Sequence, residues 1–208
     1  ARTSVGLGGN ISSSIAETAK SSAQHPCPEM TATGDRKTSG NGSLMRLAPC
    51  PIFFAGDVDA AMDAAYRQSK TTHQGDEAAE CCRLMTRVIV EAIKSGDGKE
   101  AVQRATESFS SPLYSVSCLA KSEREARNSE NDGLDLEDRV WNWKDPEHRY
   151  APSRAQQQPG YVGSYAMDAL CMALHCVWTT SSFEEAVLKA ANMRGDADTV
   201  ADIAGQIA

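Results

Sequence analysis

Close to the end of the chain, two acids one residue apart stand behind a glycine, with a hydroxyl beside the second: Gly195-Asp196-Ala197-Asp198-Thr199. Val200, Ile203 and Ile207 follow at three- and four-residue spacing, which predicts a helix with one buried face that starts at the acids. Two chemistries fit these residue types. Acids in a first helical turn cap free N–H groups and suit the positive end of the helix dipole, the reading that spacing alone favours. Alternatively, Asp196, Asp198 and Thr199 gather the carboxylate and hydroxyl oxygens that magnesium, manganese and calcium prefer.

Three further stretches carry polar groups at helix starts. Ser4 to Asn10 is glycine-rich, with Gly6, Gly8, Gly9 and Asn10 ahead of a small-residue helix predicted over 11–23. Such a loop presents backbone amides to phosphate, although it matches neither a Walker loop nor a dinucleotide fingerprint, and by itself the stretch reads more readily as a plain linker. In Gly40-Asn41-Gly42-Ser43-Leu44-Met45-Arg46, a turn-forming Asn-Gly pair gives way to an apolar helical start. Asn41 and Ser43 either cap that helix or point, with the loop N–H groups, into a pocket. His73, just ahead of a strong helical pattern, is either a loop histidine or a neutral donor to a ligand oxygen.

The elements that must hold these groups all read as helices. Asp57 to Ser69 places Val58, Met62 and Tyr66 on one face behind Asp57 as N-cap. Asp76 to Lys94 carries Cys82, Met85, Ile89 and Ile93 as a predicted buried stripe, and Lys99 to Phe109 adds a short helix after the Ser95-Gly96-Asp97-Gly98 stop. The charged stretch Lys121 to Pro159, anchored by Trp141 and Trp143, reads as an irregular surface excursion with helical pieces near 117–127 and 134–141. Gly160-Tyr161-Val162 introduces a helix with Ala166, Leu170, Ala173 and Val177 on one face. Ser181 and Ser182 stand three residues before Glu184 and Glu185, a doubled capping-box signal for the helix 183–192. No strand-like alternation accumulates, so the expected fold is all-α, one domain over 1–208.

Bulk properties exclude several classes. A net charge of −7 argues against nucleic-acid binding, which needs a lysine and arginine surplus, and favours small-molecule partners. Seven cysteines, odd in number and without a C-x-x-C pair, read as core thiols in a reducing compartment. No apolar run approaches the roughly 20 residues that span a bilayer and no signal-like segment opens the chain, so a cytoplasmic monomer is expected.

The stretches Gly40-Asn41-Gly42-Ser43-Leu44-Met45-Arg46, Thr71-Thr72-His73 and Gly195-Asp196-Ala197-Asp198-Thr199, in that order and with Ala201 and Gly205, resemble the ADP-ribosylglycohydrolase family, which includes the ADP-ribosyl-acceptor hydrolases and the dinitrogenase-reductase-activating glycohydrolase. The resemblance runs from Gly6 to Ala208 and implies an orthogonal multi-helix bundle with two Mg2+ or Mn2+ ions. It further implies cleavage of the glycosidic bond of ADP-ribosylated substrates with release of ADP-ribose. Asp196, Asp198 and Thr199 match the family's second group of metal ligands. Gly6, Gly8, Gly9 and Asn10 match its diphosphate loop, Asn41, Gly42 and Ser43 its ribose-side contacts, His73 its ligand-contacting histidine, and Tyr161 part of its adenosine wall.

By the same comparison, the family's Gly-Asp-Asp-Thr-like motif, which holds the other metal ligands, and its early catalytic acid lie upstream of Ala1; Gly34-Asp35 replaces neither. The expectation is therefore a member truncated at both ends, with no catalytic residue assigned within the chain. A non-catalytic ADP-ribose-binding or crystallin-like structural homologue is the alternative.

Overall fold

A computed structural model describes residues 8–21, 38–157 and 160–208. Gly6 and the Gly34-Asp35 pair, named above, lie outside them. The helices in chain order are α1 (Gly9–Thr18), α2 (Gly42–Met45), α3 (Pro49–Phe53), α4 (Val58–Lys70), α5 (Asp76–Ser95), α6 (Gly98–Glu107), α7 (Tyr114–Lys121), α8 (Pro152–Gln157), α9 (Ala166–Trp178), α10 (Phe183–Ala191) and α11 (Ala197–Ile207). Among the described residues there is no strand, only the isolated bridges Gly40 to Tyr165 and Arg124 to Val140. The all-α expectation holds.

Two helices make the centre. α9 buries every residue from Ala166 to Val177, the pattern of a helix enclosed on all sides. α5 packs against it and against α4 and α6, burying Cys81, Cys82, Leu84, Met85, Val88 and Ile89. α10 and α11 close the other side of α9. The expected stripe on α5 stops one turn early: Ile93 is 51% exposed, the buried residues of α5 end at Val90, and in the last turn Ala92 rather than Ile93 packs against the core. Cys81, Cys82, Cys118, Cys171 and Cys176 are free and buried, as core thiols should be. No described helix is long and apolar enough to cross a membrane.

Local signals behave as their chemistry dictates. Asp57 caps α4 by accepting from the N–H of Ala60. At α10, the Ser182 hydroxyl accepts from Glu185 N–H while the Glu185 carboxylate accepts from Ser181 N–H, so one pair of the doubled signal does the capping.

The stretch after α7 differs most from expectation. Ser122 adopts φ 62°, which ends α7 at Lys121 rather than near Arg127. Residues 134–141 are not helical, because the backbone there bonds across to the chain after α7: Glu125 N–H donates to Arg139 O and Trp141 N–H to Glu123 O. Nor does this stretch merely cover the surface. Arg139 is buried, with Nε 2.7 Å from Glu125 Oε1 and Nη2 2.7 Å from Glu77 Oε1. Trp141 Nε1 donates to the same Glu125 oxygen, Asn131 to its other oxygen, and the Tyr165 hydroxyl pairs with both Glu77 and Arg139. Two carboxylates thus meet one guanidinium whose rigid fork supplies enough donors for all.

Removing one member of a buried ion pair strands the others. Arg139→Ala is expected to cost about 3–5 kcal/mol of folding stability, read as a lowered urea midpoint in equilibrium unfolding.

Candidate functional site

Val200, Ile203, Ala204 and Ile207 bury one face of α11 and fix its direction, so that its first turn emerges at the surface. Asp196 occupies the N-cap position, yet its side chain accepts no capping hydrogen bond. Its carboxylate turns sideways: Oδ1 accepts from Thr199 Oγ1 at 3.0 Å, and Oδ2 accepts from Asn41 Nδ2 at 2.7 Å. Asp198, in the first turn, is exposed. Among the described residues neither acid has a lysine or arginine partner. Two carboxylates and a hydroxyl therefore share one helix start without a neutralising side chain.

The turn that delivers them is tight. Gly195 has φ 68°, and a Cβ there would lie 2.2 Å from the Val162 carbonyl oxygen, so no other residue fits without displacing backbone. The next N–H, of Asp196, donates to that same carbonyl at 2.9 Å. The loop before α9 and the turn before α11 thereby become one unit.

Asn41 joins a third segment to it. The residue is buried, and its amide nitrogen donates to Gly163 O at 2.9 Å as well as to Asp196. Both partners are acceptors, which settles which side of the amide faces them. Asn41 N–H donates to Ser164 O, and Ala166 N–H to Ser39 O, flanking the Gly40 to Tyr165 bridge. Asn41 is thus the formal N-cap of α2 without capping it, and both amide hydrogens are used inside the protein. Ser43 is fully buried and its hydroxyl accepts from Ser69 Oγ at 2.9 Å.

His73 is 3% exposed, at the turn between α4 and α5. Its N–H donates to Ser69 O, and Lys70 braces the turn through Gln74 O and Asp76. The ring lies against the glycine turn: Cβ atoms at Gly40 and Gly42 would be 3.6 and 3.3 Å from Nε2. Burial, helped by the positive charge of Arg46, lowers the His73 pKa to about 4, so the ring is neutral at pH 7. α1 covers this corner, with Ser14 Oγ donating to Thr72 O and Asn10 Nδ2 to Thr38 O. Gly8 is the N-cap of α1, and Gly9 its first residue; both are exposed. Tyr161 is 70% exposed on the loop whose Val162 carbonyl receives Asp196.

The structure thus brings Asn41, Asp196 and Thr199 into bonded contact, and Asn10, Gly42 and His73 into a second cluster beside the same turn. A cavity of about 360 Å³ bounded by Trp141, His148, Tyr150 and Asp168 contains none of these residues. Sequence reasoning missed the supports. Gln206 holds α2 to α11, its amide accepting from Ala48 N–H and donating to Met45 O, and Gln68 holds Ser43 O and Arg46. Gln206 did leave a signal: a polar residue seven positions after Thr199, on the same side of an amphipathic helix.

Comparison with known proteins decides the family. A family model described as ADP-ribosylglycohydrolase matches residues 1–208. The chain belongs to the ADP-ribosylglycohydrolase family. It is similar to the ADP-ribosylarginine hydrolase Tri1 of Pseudomonas putida (strain GB-1), 32% identical over 174 residues, covering 84% of this chain and 38% of that protein. It is also similar to the ADP-ribosylarginine hydrolase Tri1 of Serratia proteamaculans (strain 568), 28% identical over 172 residues, covering 83% of this chain and 38% of that protein. The chain therefore spans well under half the length of these curated relatives of the ADP-ribosylglycohydrolase family.

Two outcomes are expected. Gly195→Ala combines a left-handed backbone with a clash against Val162, and should lower the thermal midpoint by several degrees, corresponding to about 2 kcal/mol or more. The second concerns pH. His73 and His148 are held near about 4, in each case chiefly by burial, and His175 is lowered for the same reason. Each folded value lies below the unfolded one, so the unfolded chain takes up protons first as pH falls through about 6.5. Stability should be full above that pH and decline toward pH 5, by on the order of 1 kcal/mol each for His73 and His148 with His175 acting in the same direction, in urea titrations at pH 7, 6 and 5.

Proposed function

We propose that the protein carrying this chain is a cation-dependent hydrolase that cleaves the bond between the ribose anomeric carbon and an ADP-ribosylated acceptor, releasing ADP-ribose. The observation that carries the proposal is Asp196. An N-cap aspartate that only stabilised its helix would accept from the backbone N–H groups of the first turn, and this one does not. Its oxygens are oriented by an amide and a hydroxyl, two neutral donors that fix the carboxylate without cancelling its charge.

The donor set fits a hard cation: carboxylates of Asp196 and Asp198 with the hydroxyl of Thr199, all oxygen, at an accessible helix start. Mg2+ or Mn2+ held there, as one of two ions, would supply Lewis acidity for water activation and orientation of the ribose hydroxyls. The chain's own residues do the rest. Asn41 holds the Asp196 carboxylate in one rotamer, and His73 stays neutral beside the Gly40–Gly42 turn, where ribose and phosphate oxygens need donors. Gly8, Gly9 and Asn10 present backbone and amide donors to the diphosphate, with Gly6 of the same motif outside the described residues, and the exposed Tyr161 ring offers a face to the adenine. Bond cleavage at a ribose carbon develops oxocarbenium character, which anionic oxygens on one face stabilise. Both relatives are named for ADP-ribosylarginine, and the arginine linkage is the proposed substrate.

The test uses arginine-linked and serine-linked ADP-ribosyl peptides with Mg2+ or Mn2+. Release of ADP-ribose from the arginine peptide, lost at least a hundredfold in Asp198→Ala, is expected; binding of ADP-ribose without turnover would point to the non-catalytic homologue instead. Mn2+ should raise the thermal midpoint by mass action, and Asp196→Asn should remove that rise. Asn41→Ala should weaken Mn2+ binding by roughly 10- to 100-fold while leaving both acids in place. Undiminished Mn2+ stabilisation in the Asp196→Asn, Asp198→Ala double variant would sink the assignment of these ligands.

A further inference from the structure

The chain of hydrogen bonds behind His73 goes beyond placing the ring. Arg46 Nη2 lies 2.5 Å from Thr72 Oγ1, and Thr72 Oγ1 lies 2.8 Å from His73 Nδ1. A guanidinium has only donors, so in the first contact the threonine oxygen must accept. The hydroxyl's single proton is then available to its other neighbour, Nδ1. A neutral imidazole that accepts at Nδ1 carries its proton on Nε2, the nitrogen that faces the Gly40 and Gly42 backbone.

We propose that Arg46 and Thr72 are positioning residues that lock His73 as its neutral Nε2–H tautomer, a directed hydrogen-bond donor at the glycine turn. Arg46 is itself fixed for this task, with Nε on Gln68 Oε1 at 2.9 Å and Nη2 on Gln68 O at 3.0 Å. Thr72 is held through its carbonyl by Ser14 of α1 and through its N–H by Ser69 O. The relay thus starts on a surface arginine after α2, crosses the end of α4 and ends under α1. The nearby positive charge also disfavours a second proton on the ring, so the donor stays single and uncharged. A donor so fixed selects acceptor atoms, such as a hydroxyl or phosphate oxygen of a nucleotide ligand, over amines and other donors. That ligand consequence rests on the function proposed above; the tautomer assignment does not.

Nitrogen-15 NMR of the labelled chain reads the tautomer directly. Two-bond nitrogen–proton correlations of the imidazoles, with His73 assigned by its loss in His73→Asn, should show Nδ1 unprotonated and Nε2 protonated from pH 6 to 8. Thr72→Val, which keeps the shape and removes the hydroxyl, should move His73 to Nδ1–H or to a mixture, and Thr72→Ser should restore the original pattern. Far-UV circular dichroism and the thermal midpoint establish that each variant is folded. Protonated Nδ1 in the unsubstituted chain, or an unchanged tautomer in folded Thr72→Val, overturns the proposal. By calorimetry, ADP-ribose affinity should fall about tenfold in Thr72→Val and recover in Thr72→Ser, the effect of one misdirected hydrogen bond. Absence of ADP-ribose binding in the unsubstituted chain overturns the functional reading and leaves the NMR result to decide the tautomer.

Discussion

A primary amide nitrogen carries two hydrogens, and the placement of both by Asn41 is the constraint on which the site depends. One goes to the Gly163 carbonyl and the other to the Asp196 carboxylate, so the start of α2, the loop before α9 and the turn before α11 are tied at one atom. Asn41 lies 122 positions from Gly163 and 155 from Asp196 along the chain, and no local preference could align them. The tie works because both acceptors are open to the amide: the Gly163 carbonyl lies outside the helices, and Asp196, not used in capping, gives Oδ2 to Asn41 while Thr199 takes Oδ1. What results is a carboxylate with fixed direction and unneutralised charge, the state a cation ligand requires and a helix cap does not.

Around that tie, the protein uses charge in two opposite ways. At Arg139 the acids Glu77 and Glu125 share one buried guanidinium, and their network ends on the Tyr165 hydroxyl. Tyr165 is also the residue whose backbone bridges to Gly40, next to Asn41. The ion-paired network thereby braces the frame that carries Asp196 and Asp198, which have no lysine or arginine partner among the described residues.

The histidines follow the same division. His73 and His148 are buried and kept neutral, so they act as hydrogen-bonding groups rather than as charges at pH 7. For His73 this matters near the glycine turn, where Arg46 already provides a positive charge outside the turn.

The sequence by itself determined the longer helices and the caps of two of them, since period, Asp57, Ser182 and the glycine stop after α5 are local signals whose energetics need no distant partner. It also determined the family, because three polar motifs in fixed order survive without knowledge of their contacts. It left Asp196 open between cap and ligand and Asn41 between cap and pocket, and it misjudged Ile93 and the stretch 134–141. Those questions turn on which acceptor sits across a gap of many residues, and on whether a charged side chain such as Arg139 finds buried partners. Burial and partnership are properties of the packed chain: the same aspartate accepts from its own helix or from a distant side chain according to whether an amide from elsewhere reaches it first.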